Sequence, residues 1–222
     1  MTSLLLAILL CAPAGEAMKA TLVEGRATAG GQPLWEGDLL HAGETVETQA
    51  GGRVEIALEG GSLIRLGESS RLTLSPAGME RSFSARLWVG NLWARVHLLL
   101  AGKPFEIETE NGIAGVRGTE FRVEVAEGQP DLLRVYVGTV EVAARDGRWT
   151  HQVEGGRELA FRRDAEGPRS FDPAGEKGHG FMDWVRSRKT PDGEEPGRIR
   201  REQRSPEQEH RLLERKQRPR ER

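Results

Sequence analysis

The feature that most constrains this chain is the stretch from Asn111 to Val142. It reads NGIAGVRGTEFRVEV, then a short polar turn AEGQP, then DLLRVYVGTVEV. Phe121, Val123 and Val125 alternate with Glu120, Arg122 and Glu124, and Leu133, Val135 and Val137 alternate with Arg134 and Tyr136. Successive side chains of a strand point to opposite faces, so each run reads as a strand with one buried face. The turn formers between them predict an antiparallel hairpin. Phe121 then belongs to the core, while Glu120 and Glu124 belong to an outward, solvated face. Two Gly-Thr pairs, Gly118-Thr119 and Gly138-Thr139, sit where the strands must bend or change partner, as a bulge or close backbone approach requires.

Short apolar runs of the same kind fill the chain from Met18 to Phe171. Val54, Ile56 and Leu58 share one face, and Ile64 and Leu66 match Leu72 and Leu74 across a polar turn. Leu87, Val89, Leu92, Ala94 and Val96 continue the series, with Gly90-Asn91 as a hairpin signal. Val140, Val142, Val153, Leu159 and Phe161 close it. No helical period interrupts the region. With 28 glycines in 222 residues, mostly between these runs, the expectation is all-β: a sandwich, a barrel or a short β-solenoid of stacked strands.

The two ends differ from this body. Leu4 to Leu10 is a short apolar run followed by Ala12, Ala14, Gly15 and Ala17. That is the layout of a secretory signal peptide over residues 1–17, cleaved after Ala14 or Ala17, and it is too short to span a bilayer. The expected location is periplasmic or secreted, in the bacterial cell envelope, with no transmembrane span. Cys11, the only cysteine, leaves with the signal, which excludes disulfides and thiolate metal sites from the mature chain. Residues 172–189 read as a linker and a short helical cap, in which Phe181, Trp184 and Val185 share a face. Residues 190–222 read as a disordered charged tail. From Arg186 onward 13 Lys/Arg stand against 8 Asp/Glu, so the tail is basic and the body acidic. Interleaved acids and export both argue against nucleic acid as a partner.

The ordered motifs carry a resemblance. Gly61-Ser62 ends an apolar strand, and Val89-Gly90 joins two strands. Pro104-Phe105-x-Ile107-x-Thr109, Gly118-Thr119-x-Phe121-x-Val123 and Gly138-x-Val140 follow in order. This combination, over roughly Leu39 to Val142, resembles the FecR protein domain, a family named for a periplasmic regulator of ferric citrate uptake. The resemblance implies an all-β domain outside the cytoplasm, without catalytic residues or cofactors, at residues 18–171. The best-known members resemble signal transducers that join a cytoplasmic anti-sigma segment and one membrane span to this domain. Here only the signal-like segment precedes it, so the domain carries over but direct control of a sigma factor is not expected.

The residues themselves offer no catalytic chemistry. His41, His97, His151, His179 and His210 are scattered without metal-ligand spacing. Ser62, Ser69 and Ser70 have no local base. The pairs Glu106/Glu108 and Glu120/Glu124 read as solvated strand faces rather than acid-base dyads. Four residues are candidates for partner binding. Trp88 and Trp93 flank Gly90-Asn91, and Trp88 is either an exposed stacking surface for a sugar or peptide or half-buried beside a turn; Trp35 and Trp149 allow the same two readings. Gly118 and Thr119 either line a partner groove or form a bulge whose hydroxyl satisfies a backbone group. The expected function is non-enzymatic binding of an envelope protein or polymer (polysaccharide or peptidoglycan), within a sensing or assembly pathway. A structural envelope protein or an envelope hydrolase is the alternative, and oligomeric state is open.

Overall fold

The computed structural model describes residues 18–75, 83–97, 105–176, 180–188 and 190. The signal-like segment, Cys11, Pro104, His179 and the tail from Pro191 to Arg222 lie outside the described residues. The described residues form 17 strands in two layers, A and B, and the chain crosses between them repeatedly. β1 (Met18–Glu24) lies in layer A, and β2 (Ala27–Ala29) and β3 (Gln32–Pro33) form a hairpin in B. β4 (Leu39–Leu40) returns to A and β5 (Thr45–Thr48) to B. β6 (Arg53–Ala57) and β7 (Leu63–Leu66) pair in A, and β8 (Arg71–Leu74) lies in B. β9 (Phe83–Arg95) begins in B and ends in A.

The second half repeats the rhythm. β10 (Phe105–Glu108) and β11 (Gly112–Val116) pair in B. β12 (Glu120–Val125) and β13 (Asp131–Val137) pair in A, β14 (Thr139–Ala144) and β15 (Thr150–Glu154) in B, and β16 (Arg157–Phe161) and β17 (Arg169–Ser170) in A. Layer A therefore runs β4-β1-β6-β7-β9-β12-β13-β16-β17, and layer B runs β3-β2-β5-β8-β9-β10-β11-β14-β15. Among the described residues only β9 and β10 pair in parallel. The sheet does not close, which excludes a barrel, and its strands otherwise pair antiparallel where the stacked coils of a solenoid would pair in parallel, so of the three expected architectures the chain takes the sandwich.

Alternation builds the core between the layers. Phe83 stacks on Phe105 at 4.6 Å, and Phe105 meets Phe121 of the opposite layer edge-on at 6.4 Å. Phe121 is fully buried, opposite Val135 in the expected hairpin. The two Gly-Thr pairs meet each other. Gly118 and Gly138 both have positive φ (62° and 84°), and a Cβ on Gly138 would stand 2.7 Å from Thr119 Cγ2 and 2.8 Å from the Gly118 carbonyl.

Three local expectations are corrected. Gly90-Asn91 is not a hairpin turn; β9 runs straight through it. Gly90 has φ 102°, and a Cβ there would lie 2.5 Å from Ser70 Cα, so this glycine lets two backbones touch where β9 changes layer. Just before it the pairing steps from Arg71↔Val89 to Leu72↔Leu87, bulging out Trp88. The bulge turns Val89 outward, 38% exposed, rather than inward beside Leu87. Ile64 and Leu66 do not pair with Leu72 and Leu74; the turn at Ser69 (φ 51°) carries the chain into the other layer, and the two pairs share the sandwich core.

Candidate functional site

The outer faces of the two layers differ. On layer A, α1 (Gly180–Ser187) lies across the strands and buries Phe181, Met182, Trp184 and Val185 against Leu63, Trp93, Tyr136 and Phe171. This is the helical cap the apolar spacing predicts. Gly67 makes room for it: a Cβ there would come within 2.9 Å of Phe181 Cδ2. Trp93 is therefore fully buried, with its Nε1 donating to Glu120 Oε1 at 3.1 Å. Its strand face is outward, as alternation requires, but the face is covered. The same cover overturns the solvated reading of Glu120, which is 2% exposed and accepts from Arg95 Nη2 at 2.8 Å.

Glu176 is the hub of this covered face. It follows Pro173 in a single 3-10 turn (Pro173–Glu176) within the segment expected to be a linker. One oxygen accepts from Arg122 Nη1 and Arg134 Nη1, each at 3.1 Å, and the other from Arg186 Nη2 at 2.9 Å. The Tyr136 hydroxyl lies 3.1 Å from both oxygens. Burial and then the Glu176 charge push the Tyr136 hydroxyl well above its ordinary range. Arg65, wholly buried, donates Nε to Glu55 at 2.7 Å and Nη1 to the Val185 carbonyl at 2.9 Å, and stacks on Trp93 at 4.9 Å. Burial lowers its pKa against the opposing pull of Glu55. Its guanidinium thus caps the C-terminal end of α1, adding to the long backbone bond from the Arg188 N–H to the Val185 carbonyl at 3.4 Å. Thr190, the first residue of the expected tail, is buried and accepts from Arg95 Nη1 at 2.9 Å.

Layer B has no such cover among the described residues. Trp88 is 47% exposed on its bulge, with Arg86 Cζ 3.8 Å over its ring and its Nε1 donating to Thr73 Oγ1 at 2.9 Å. The ring is thus held in one orientation while one side stays open to solvent. Trp35 is 70% exposed at the β3–β4 corner, whereas Trp149 is half-buried against Phe161. Glu106 and Glu108 are half-buried on the same outer face as Trp88.

The four candidate residues do not come together. Trp88 lies on the open face of layer B, and Trp93 lies under α1. Thr119 is 2% exposed and its Oγ1 has no hydrogen-bond partner, so the hydroxyl does not satisfy a backbone group. Among the described residues no three His, Cys, Asp or Glu side chains cluster to hold a metal, and no helix is long and apolar enough to cross a membrane. Glu176 and Arg65 escaped the sequence reading. The one available signal was an acid five residues before the helical spacing, too common to single out.

The two-layer β domain with repeated layer crossings matches a family model, "FecR protein", over residues 44–156, just over half the chain. The chain belongs to the FecR family. Two crystal structures of a candidate anti-sigma factor from Parabacteroides distasonis ATCC 8503 share this fold. The 1.65 Å structure has a TM-score of 0.53 at 16% identity, over 64% of this chain and 64% of that one. The 2.50 Å structure has a TM-score of 0.53 at 15% identity, over 62% and 63%. The FecR chain thus spans less than two thirds of the length of those proteins. No curated protein matches its sequence. The family match begins at Glu44 and ends at Gly156, so it leaves out β1 to β4, Glu176 and α1.

Proposed function

We propose that this FecR protein is a non-enzymatic, exported regulatory domain that binds an envelope protein through the outer face of layer B. The observation that carries the reading is Trp88. This large ring stands on a bulge and points outward, Arg86 and Thr73 fix it, and one side is left open. Orienting an exposed aromatic in this way reduces the entropy lost when a partner covers it, and tryptophan and arginine are among the residue types enriched at binding hot spots. Family membership and a fold shared with a candidate anti-sigma factor support a protein partner and a role in signal transduction. The apolar run before Ala12 supports export, with the mature chain starting at Gly15 or Met18.

The test is site-specific photo-crosslinking in the producing cell. A photoreactive residue at Trp88 should give one discrete protein adduct, which the same residue at exposed Arg148 does not. The partner, once purified, should bind the wild-type chain and lose affinity for Trp88→Ala. No adduct at Trp88, or an adduct only with glycan, overturns the reading. N-terminal sequencing of the recovered protein checks export; full-length chain confined to the cytoplasm refutes it.

A further inference from the structure

The outer face of layer A is built to meet water, yet it is covered. Its residues by alternation are Glu55, Arg65, Glu120, Arg122, Arg134 and Glu158, a composition ordinarily left in solvent. What covers it is one eight-residue helix and the 3-10 turn before it. We infer that this face is a helix-reading groove, occupied in cis by α1, and that it accepts in exchange an amphipathic helix of a partner protein with the same chemistry.

Three observations carry this. The groove has features that recognise a helix as a helix. Gly67 provides the slot for Phe181, and Arg65 Nη1 reads the Val185 carbonyl at 2.9 Å and the Arg188 carbonyl at 3.4 Å. Arg122 and Arg134 hold a carboxylate ahead of the helix start, here Glu176. Secondly, Arg65, Gly67, Trp93, Arg122 and Tyr136 all lie inside the span of the family match, whereas Glu176 and α1 lie beyond its end. The match thus takes in most of the groove and none of α1, although it also ends before β16 and β17 of layer A. Thirdly, α1 and the residue after it fit imperfectly: among the described residues Trp184 Nε1 and Arg188 Nε are enclosed without hydrogen-bond partners. A buried donor left unpaired carries its full desolvation cost, so an occupant that satisfied it would bind better. Once α1 lifts, the groove's charges are hydrated rather than stranded, which keeps the opened state accessible.

The partner segment is defined by what α1 presents: an acid, then apolar residues at i, i+3 and i+4 ending near the carbonyls of the helix C-terminus. A tethered helix competes at an effective concentration on the order of millimolar, so a free peptide meets strong competition in the wild-type chain. This inference concerns the face opposite Trp88 and stands or falls separately from the crosslinking test above.

The experiment uses the full chain and a fluorescent synthetic peptide of residues 172–190. The release variant Phe181→Ser/Trp184→Ser weakens the cis helix; it should stay folded and bind the peptide roughly 10²-fold more tightly than wild type. Adding Gly67→Val, which fills the Phe181 slot, should weaken peptide binding by at least about tenfold, and adding Trp88→Ala should leave it unchanged. In the wild-type chain, hydrogen exchange should show α1 opening while β12 and β13 stay protected. A release variant that folds but does not bind the peptide overturns the inference. So does a release variant that unfolds, or α1 amides that exchange only in global unfolding, because α1 would then be part of the core.

Discussion

The two outer faces of the sandwich are made from the same alternating strands and reach different fates. Layer A carries buried arginines and glutamates beneath α1, with Glu176 accepting from three arginines and meeting Tyr136. Layer B carries a face that no described segment covers, and a bulge there presents Trp88. Composition does not separate them, since both faces alternate charged with small or apolar residues. The difference lies in where a later segment packs. A polar strand face is therefore not evidence of solvation until the rest of the chain has been placed.

Substitutions can break this comparison or sharpen it. The largest effect is expected in the core both faces share. Phe121→Ala should cost about 3–5 kcal/mol in chemical denaturation, the usual loss for truncating a fully buried Phe. A nearly neutral result would mean that the faces of β12 are exchanged and that the two-layer arrangement is wrong.

On the covered face, Glu176→Gln removes the charge that Arg122, Arg134 and Arg186 share. Hydrogen bonds to charged groups contribute roughly 1.5–3 kcal/mol, and a loss of that size is expected in the same assay. Release of α1 should limit the loss, since the freed arginines would be hydrated. A cost matching that of Phe121→Ala would show that layer A has no separable cover.

The seam between layers offers a pH test. Asp131, on β13, is 2% exposed and accepts from Asn111 Nδ2 of layer B at 3.0 Å. Burial raises its pKa, against the hydrogen bonds from Thr109 and Asn111 that lower it. A carboxyl with a raised folded-state pKa stabilises the fold at pH below its unfolded value. That contribution is lost as pH rises through the folded value. Asp131→Asn, which does not titrate, should therefore be the more stable protein at neutral pH, by a margin that shrinks on acidification. A margin that grows on acidification would reverse the sign.

The smallest stability effect belongs to the open face. Trp88→Ala removes one stacked guanidinium contact, of about 0.5–1 kcal/mol at exposed sites, and the thermal midpoint should move little. A large drop would make Trp88 structural and remove the contrast between the faces.

Much of the fold was legible in the residues. Alternation placed Phe121, Val123, Leu133 and Val135 in the core because a strand's two faces are fixed by local geometry. The spacing of Phe181, Trp184 and Val185 gave the helix and its buried side for the same reason. The candidate site was less legible. Trp88 was found as an outward residue, but Val89 was placed on the wrong face because a one-residue bulge inverts everything after it. Trp93 and Glu120 were placed on the correct strand face and given the wrong environment.

The sequence by itself determined the strand-forming pattern, the hairpin of β12 and β13, the inward residues and the apolar side of α1. Each follows from chain geometry over a few residues. The tertiary structure decided the rest. Gly90-Asn91 satisfies the local chemistry of a hairpin turn, yet β9 continues through it, with Gly90 packed against Ser70, twenty residues earlier. Glu176 and α1 reach back forty residues or more to Arg122 and Tyr136 and turn an outward face into a buried one. Burial depends on which surfaces meet in space, and no short window of sequence contains that information.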